Sequence, residues 1–339
     1  MNRFTSVHDI IQAYAIADQS AGLERALSDA IALKKDPWSM STLGTRKTLG
    51  LLFMNPSLRT RMSTHKAASL LGMDTMILNA GSDSWTLETR DGVIMDGAAT
   101  EHIKDAAAVM GEYCDILGLR TFAGLTDRNA DYEERVLESF VRYAGVPFIS
   151  LESATRHPLQ SFADLITIET LKTVQRPKVV LTWAPHPKAL PQAVANSFVE
   201  WMLAADVDLV VTHPQGYELA PSFMQGSAFA STSGAAVKGA TLMYDQNAAF
   251  EGADFVYAKN WSSYNDYGAI TSKDMNWTVN AEKMALTNNA RFMHCLPVRR
   301  NMIVTDEVID SPQSVILEQA ANRVVSAQTV LMCMLQGLV

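Results

Sequence analysis

Residues 53 to 64 read FMNPSLRTRMST, so Ser57, Thr60, Ser63 and Thr64 stand beside Arg59 and Arg61 in one short stretch. Guanidinium forks bind oxyanions with paired, charge-assisted hydrogen bonds, and hydroxyls add further donors. Met62, Ala67, Leu70 and Leu71 then recur at helical spacing up to Gly72. The donors therefore fall on the turn into a helix, where backbone N–H groups and the helix dipole also favour an anion. The chemistry on offer is capture of a small, multiply charged anion. The stretch lacks the spaced glycines and the Gly-Lys-Ser/Thr ending of a nucleotide phosphate loop, which argues against an ATP cradle. A capped helix with solvated arginines, Ser57 being the N-cap, is the plainer alternative.

Other reactive side chains follow the same rule of position. Arg120 ends the apolar run Ile116-Leu117-Gly118-Leu119, and Glu152 with Thr155-Arg156-His157-Pro158-Leu159-Gln160 follows the run Val146 to Leu151. Further along, His186, His213, Lys259 and Cys295-Leu296-Pro297-Val298-Arg299-Arg300 each follow an apolar run. His157 precedes a proline at a helix start, where its ring can reach a substrate oxygen. Glu152 is the one carboxylate in this basic company, and a salt bridge to Arg156 on its own loop is its plain reading. The histidines show no HxxxH or His/Cys spacing, so no metal is expected. Nothing near Cys295 in sequence supplies a general base for a thiol nucleophile.

The elements that must hold these residues are apolar, β-rich runs alternating with helical patterns. Strands are expected at Thr48 to Phe53, Ile116 to Leu119, Val146 to Leu151, Lys178 to Trp183, Val207 to Thr212, Phe255 to Ala258 and Arg291 to His294. Amphipathic segments at 101 to 113, 160 to 174 and 192 to 204 lie between them. This is βαβ alternation, an α/β chain with two doubly wound parallel sheets. The expected domains are 1–151, rejoined by a C-terminal helix over 318–339, and 152–317. In open parallel sheets ligands bind beyond the carboxyl ends of the strands, so two such edges facing one another make a cleft lined with Arg, His, Lys and one Glu. The Ser/Gly/Ala-rich stretch 226 to 237 and Lys34-Lys35-Asp36-Pro37 read as surface loops.

Composition narrows the partners. The chain has 339 residues, 48% hydrophobic and 19% charged, and a formal net charge of -8. That balance argues against a nucleic-acid or anionic-membrane surface, so the basic cluster is local and aimed at a small molecule. There is no apolar stretch of the roughly 18 residues a membrane span needs. The three cysteines are an odd count without paired spacing, and MNRFTSVHDI lacks a signal-peptide core, so a cytoplasmic location is expected.

In order and spacing, Ser57-Leu58-Arg59-Thr60-Arg61, His157-Pro158-Leu159-Gln160, His294-Cys295-Leu296-Pro297 and Asn322-Arg323 resemble the aspartate/ornithine carbamoyltransferase family over essentially the whole chain. That resemblance implies a two-domain α/β fold with the active site between the domains, in a homotrimer with shared sites. It also implies that Ser57, Leu58, Arg59, Thr60 and Arg61 bind the phosphate of carbamoyl phosphate, aided by Trp85 from a neighbouring subunit. By the same resemblance Arg120, His157, Pro158, Leu159 and Gln160 hold the carbamoyl group, with Cys295, Leu296 and Arg323 completing that site. Thr60, Arg120 and His157 are the expected catalytic donors, and no cofactor is required.

The second half departs from plain ornithine carbamoyltransferases, in which an Asp-containing segment ending in Ser-Met-Gly holds a free α-amino group. Here the strand end reads Tyr257-Ala258-Lys259-Asn260-Trp261. A lysine repels an α-ammonium and attracts carboxylates, so an acylated substrate nitrogen is expected. The chain resembles the N-acylornithine branch, which implies a knotted crossing in the second domain and an acylornithine grip from Glu152, His186, Lys259 and Arg299. Within that branch the position of Thr100 is a glutamate in acetyl-type enzymes and small or uncharged in succinyl-type ones. The expectation is carbamoyl transfer to the δ-amine of N-succinyl-L-ornithine, within arginine biosynthesis. N-acetylornithine as acceptor, and a catalytically silent protein that binds carbamoyl phosphate or acylornithine, are the rivals.

Overall fold

A computed structural model describes residues 3–15, 22–225 and 239–337, so the stretch 226 to 237 expected as a loop lies outside the described residues. The chain divides into two compact units. The first comprises Met1–Gly124, Asn129–Leu159 and Arg323–Val339, and the second Leu125–Arg128 and Gln160–Asn322.

The strands of the first unit are β1 (Arg3–Phe4), β2 (Thr48–Phe53), β3 (Asp74–Asn79), β4 (Leu87–Glu88), β5 (Glu101–His102), β6 (Ile116–Arg120) and β7 (Phe148–Glu152). Its helices begin with α1 (Val7–Tyr14), α2 (Gly22–Lys35), α3 (Arg59–Leu70), α4 (Ile103–Tyr113), α5 (Arg128–Tyr132) and α6 (Arg135–Tyr143). The main sheet has the order β1-β7-β6-β2-β3 and is parallel throughout, while β4 and β5 form a separate parallel ribbon. Strand β2 is buried from Leu49 to Phe53 without alternation, the pattern of a parallel strand covered on both faces. Leu52, Leu117, Leu119 and Phe148 pack with Ile103, Ala107, Leu137 and Phe140 of α4 and α6 in one core. At the end of α3, Gly72 takes a φ of +79°, and a Cβ there would meet the Ser41 carbonyl oxygen at 2.3 Å. Glycine is the residue that satisfies both demands.

The second unit is built from α7 (Pro158–Leu171), β8 (Lys178–Trp183), α8 (Ala193–Ala204), β9 (Asp208–Thr212), α9 (Pro221–Met224), β10 (Thr241–Met243), α10 (Gln246–Phe250), β11 (Phe255–Lys259), α11 (Ala281–Met284), β12 (Arg291–Met293), α12 (Asp306–Ile309) and α13 (Ile316–Leu335). Its sheet is also parallel, in the order β10-β9-β8-β11-β12. Val180, Val210, Val256, Phe292, Phe250 and Ile303 centre the core. Helix α13 crosses from this unit into the first, where Ser326 Oγ donates to the Leu159 carbonyl and Gln328 Nε2 to the Pro37 carbonyl, each at 2.8 Å. No described helix is long and apolar enough to cross a membrane.

The seven strands read from sequence are present, with ends shifted by a residue or two. Strands β1, β3 and β10 lie at the margins of their sheets, and β3 and β10 are half-exposed, so their apolar signal is weak. Met62, expected on the buried stripe of α3, is 63% exposed. The first turns of α3 bury Thr60 and Thr64 instead, because that end of the helix carries donors rather than core.

Candidate active site

The order of each sheet selects one gap between strands. In the first, the chain leaves β2 for β3 on one side and returns to β6 on the other, so the winding reverses between β2 and β6. In the second it leaves β8 for β9 and β10, then returns to β11, reversing between β8 and β11. Carboxyl ends at such reversals splay their following loops apart and form ligand crevices. Ser57-Leu58-Arg59-Thr60-Arg61 follows β2 and Arg120 ends β6; His186 follows β8 and Lys259 ends β11. His213 follows β9, away from the reversal. It is buried, its Nδ1 lies 2.8 Å from the Pro214 carbonyl, and its ring meets Tyr244 and Trp261 edge-on, which is a structural setting.

In the first unit three strand ends are stitched side by side. Met54 N–H donates to the Arg120 carbonyl and Thr121 N–H to the Glu152 carbonyl, each at 2.9 Å. Helix α3 starts at Arg59, and Ser57 Oγ accepts from the Thr60 N–H at 3.3 Å, so Ser57 caps the first turn from one position before the formal cap residue Leu58. The two arginines of the turn differ. Arg61 lies over the Phe53 ring and donates to Asn79 Oδ1. Arg59 has no hydrogen-bond or ion-pair partner among the described residues, which leaves its fork available to an anion. Thr60 is buried, and its Oγ1 accepts from Arg323 Nη2 at 2.6 Å.

Arg120 and Glu152 form a buried pair at 2.9 Å, and His157 Nε2 lies 3.4 Å from the same carboxylate oxygen. The guanidinium also covers the Phe122 ring at 4.4 Å. Burial lowers the Arg120 pKa and Glu152 opposes that shift, yet an arginine so placed stays charged. Glu152, whose plain reading is a salt bridge to Arg156, lies against Arg120 and His157 across the strand ends. A residue without a sequence signal organises the loop: Glu134 Oε1 accepts from Ser153 Oγ, from Thr155 N–H at 2.9 Å and from Thr155 Oγ1 at 2.9 Å. It holds the turn that leads into His157.

Trp85 is 53% exposed, and its indole N–H donates to Glu101 at 2.8 Å. Thr100, beside it, is exposed and gives its N–H to the Thr86 carbonyl at 3.2 Å. Thr100 does not cap α4. Glu101 and His102 are drawn into the ribbon with Leu87 and Glu88, so α4 starts at Ile103 and His102 caps it, accepting from Lys104 N–H at 3.2 Å.

In the second unit the charges of Lys259 and Arg299 reach His186. Burial first, then the charges of Lys259, Arg299 and Lys188, push the His186 pKa below its ordinary 6.5, while a backbone contact with Lys188 partly offsets this. His186 is therefore neutral at pH 7. Just below pH 6.5 the unfolded chain takes up a proton that the folded one refuses, so this group costs stability as pH falls through that window. A bound carboxylate reverses the local field. Binding of a small dicarboxylate just below pH 6.5 is expected to draw in a proton, measured by calorimetry in buffers of different ionisation enthalpy, and His186→Gln is expected to abolish the uptake. Leu296 adopts a φ of +56° and donates its N–H to His294 Nδ1 at 2.8 Å. Among the described residues no cluster of three or more His, Cys, Asp or Glu is suited to a metal ion.

The model of the aspartate/ornithine carbamoyltransferase carbamoyl-phosphate-binding domain matches residues 13–170, and that of the Asp/Orn-binding domain matches residues 191–334. The chain belongs to the aspartate/ornithine carbamoyltransferase family. It is 55% identical over 340 residues, 100% of both chains, to the N-succinylornithine carbamoyltransferase of Bacteroides thetaiotaomicron. It is 37% identical over 94% of its length and 95% of the relative's to the N-acetylornithine carbamoyltransferase of Xanthomonas campestris pv. campestris. A crystal structure of N-acetyl-L-ornithine transcarbamylase with one glutamate replaced by proline, complexed with carbamyl phosphate and N-succinyl-L-norvaline, matches with a TM-score of 0.87 and 34% identity, covering 98% of this chain and 100% of that one. The two parallel α/β sheets are thus those of the carbamoyltransferase family.

Proposed function

We propose that the chain transfers the carbamoyl group of carbamoyl phosphate to the δ-amine of N-succinyl-L-ornithine, giving N-succinyl-L-citrulline and phosphate. The observation that carries this reading is Lys259 at the second reversal, its charge and that of Arg299 clustered on a neutral His186. Such a cluster repels a free α-ammonium and attracts carboxylates, of which N-succinylornithine has two. The name of the 55% identical relative supports the same acceptor. So does the succinyl ligand in a carbamoyltransferase whose glutamate has been replaced.

In this mechanism Ser57, Leu58, Arg59, Thr60 and Arg61 bind the phosphate, with Arg59 supplying the main charge. The neutral δ-amine attacks the carbonyl carbon, a C–N bond forms, and negative charge gathers on the carbonyl oxygen. Thr60, Arg120 and His157 stabilise that charge, the C–O bond to phosphate breaks, and phosphate departs with the electron pair and takes up the proton that the δ-nitrogen sheds. Gln160, Cys295 and Leu296 face the carbamoyl nitrogen, and Arg323 orients Thr60. His186, Lys259 and Arg299 hold the acylornithine carboxylates; Glu152 anchors Arg120 and His157. Purified chain given carbamoyl phosphate with N-succinylornithine, N-acetylornithine, ornithine or aspartate is expected to form most ureido product with the succinyl compound. Binding of carbamoyl phosphate without any ureido product would leave the silent binding protein as the reading.

The active form in this proposal is a cytoplasmic homotrimer whose sites share Trp85. An exposed indole at the end of the polar loop from Gly81 has no core of its own to fill. Mixing an inactive Trp85→Ala chain with an inactive Arg59→Ala chain is expected to restore part of the activity, because some hybrid sites then hold both intact residues. Verified hybrids without activity would exclude a shared site.

A further inference from the structure

Five residues of the second unit form one continuous relay of hydrogen bonds. Gln160 Nε2 donates to Asp164 Oδ1 at 2.7 Å, and Gln319 Nε2 donates to the same oxygen at 2.7 Å. Gln319 Oε1 accepts from the His294 N–H at 2.9 Å, and His294 Nδ1 accepts from the Leu296 N–H at 2.8 Å. Gln160, Asp164, Gln319 and His294 are each at most 1% exposed.

The polarity of the relay is fixed at both ends. A backbone N–H only donates, so Gln319 must turn its oxygen to His294 and its nitrogen to Asp164. A carboxylate oxygen only accepts, so Gln160 must turn its nitrogen to Asp164 as well. An amide has one face of each kind, and Gln160 is thereby set with Oε1 directed away from Asp164. At the other end, Leu296 spends its N–H on His294, and what its turn can still offer a ligand is a carbonyl oxygen. The Tyr257 phenol lies against Asp164 and Cys295; burial first, then the charge of Asp164, hold its pKa well above the usual 10.0, so it remains a neutral hydroxyl beside the carboxylate.

We infer that Asp164, Gln319 and His294 are positioning residues that fix Gln160 and the Leu296 turn as acceptors for a carbamoyl NH2, so that the site selects a carbamoyl phosphate over an acyl phosphate of the same shape. The inference rests on the proposed use of carbamoyl phosphate. It adds that discrimination at the nitrogen is set from within the second unit, by residues that touch no substrate. Inside a protein each such bond is electrostatically stronger than in water, and the four bonds tie Gln160 to the Leu296 turn.

Acetyl phosphate isolates this role, because it carries a methyl group where carbamoyl phosphate carries NH2. Dissociation constants for both are measured by calorimetry on the wild-type chain, Asp164→Asn and Gln319→Met. The wild type is expected to favour carbamoyl phosphate by at least about tenfold. In Asp164→Asn the asparagine offers an NH2 of its own, Gln160 can turn its nitrogen toward the ligand, and the preference is expected to fall toward unity with acetyl phosphate binding little changed. Gln319→Met, which breaks the relay one step away, is expected to show a smaller fall in the same direction. The ratio of the two constants is taken within one preparation, so it does not depend on the fraction folded. A purely structural role would weaken both ligands together and leave the ratio fixed in both variants, which overturns the inference. A wild type that binds neither phosphate overturns the carbamoyl phosphate reading itself, and that is seen before any variant is compared.

Discussion

An Arg120→Leu chain is expected to lose about 10²–10³-fold in turnover and about 3–5 kcal/mol of stability, and adding Glu152→Gln is expected to return the stability but not the turnover. The two losses have different origins. Arg120 and Glu152 are both under a tenth exposed and lie 2.9 Å apart. Removing the cation leaves a buried carboxylate, which water cannot reach, without the guanidinium that faces it at 2.9 Å. Neutralising Glu152 removes that penalty. It cannot supply a cation to a developing oxyanion, so kcat stays low. Arg59→Ala is the contrasting variant: its guanidinium has no partner among the described residues, so melting is expected to hold while KM for carbamoyl phosphate rises. Thermal melting and steady-state kinetics on the single and double variants decide this. Joint recovery of melting and kcat in the double variant would make Arg120 a structural residue only.

The strand ends show how far sequence carries. Buried parallel strands announce themselves as unbroken apolar runs, and a charged residue directly after such a run is conspicuous, so Arg59, Arg120, His186 and Lys259 were visible together with the strands that hold them. The same reasoning is blind at sheet margins. Strand β3, bounded by Asp74 and Asn79 and half in solvent, looks like any polar-flanked stretch, although its position beside β2 is what places the reversal of winding next to Ser57.

Contacts remote in sequence were illegible for a different reason. Glu134 lies 19 residues from Ser153 and 21 from Thr155, and Gln319 lies 155 from Asp164. No local pattern marks a carboxylate as the partner of a distant loop or an amide as one step of a buried relay. The contact of Glu152 with Arg120 was illegible on the same ground: Arg120 is remote in sequence but is its neighbour across adjacent strands, in register at the end of β6 and β7. Where sheets decide proximity, register outranks sequence separation.

Thr100→Glu is expected to reverse the acyl preference, lowering kcat/KM for N-succinylornithine by about 10²-fold relative to N-acetylornithine. A succinyl group carries a second carboxylate, and a glutamate facing it adds like-charge repulsion on the order of a few kcal/mol where water is partly excluded. An acetyl group has no charge to repel. Threonine is also a good N-cap residue, but here it does not serve α4: His102 caps the helix while Thr100 is exposed, with its N–H bound to the Thr86 carbonyl. The substitution therefore leaves the helix start untouched, and melting is expected to change by under about 0.5 kcal/mol, as for an ordinary surface exchange. The neighbouring Glu101 holds the Trp85 indole at 2.8 Å, so a new carboxylate one residue away also enters the surroundings of that ring. Thr100→Gln separates the two effects, since it matches glutamate in size without its charge. If charge governs the choice, the glutamine variant keeps the succinyl preference and the glutamate variant loses it. A glutamine variant that rejects the succinyl compound equally would assign the selection to volume, and a glutamate variant with an unchanged ratio would remove Thr100 from acyl recognition.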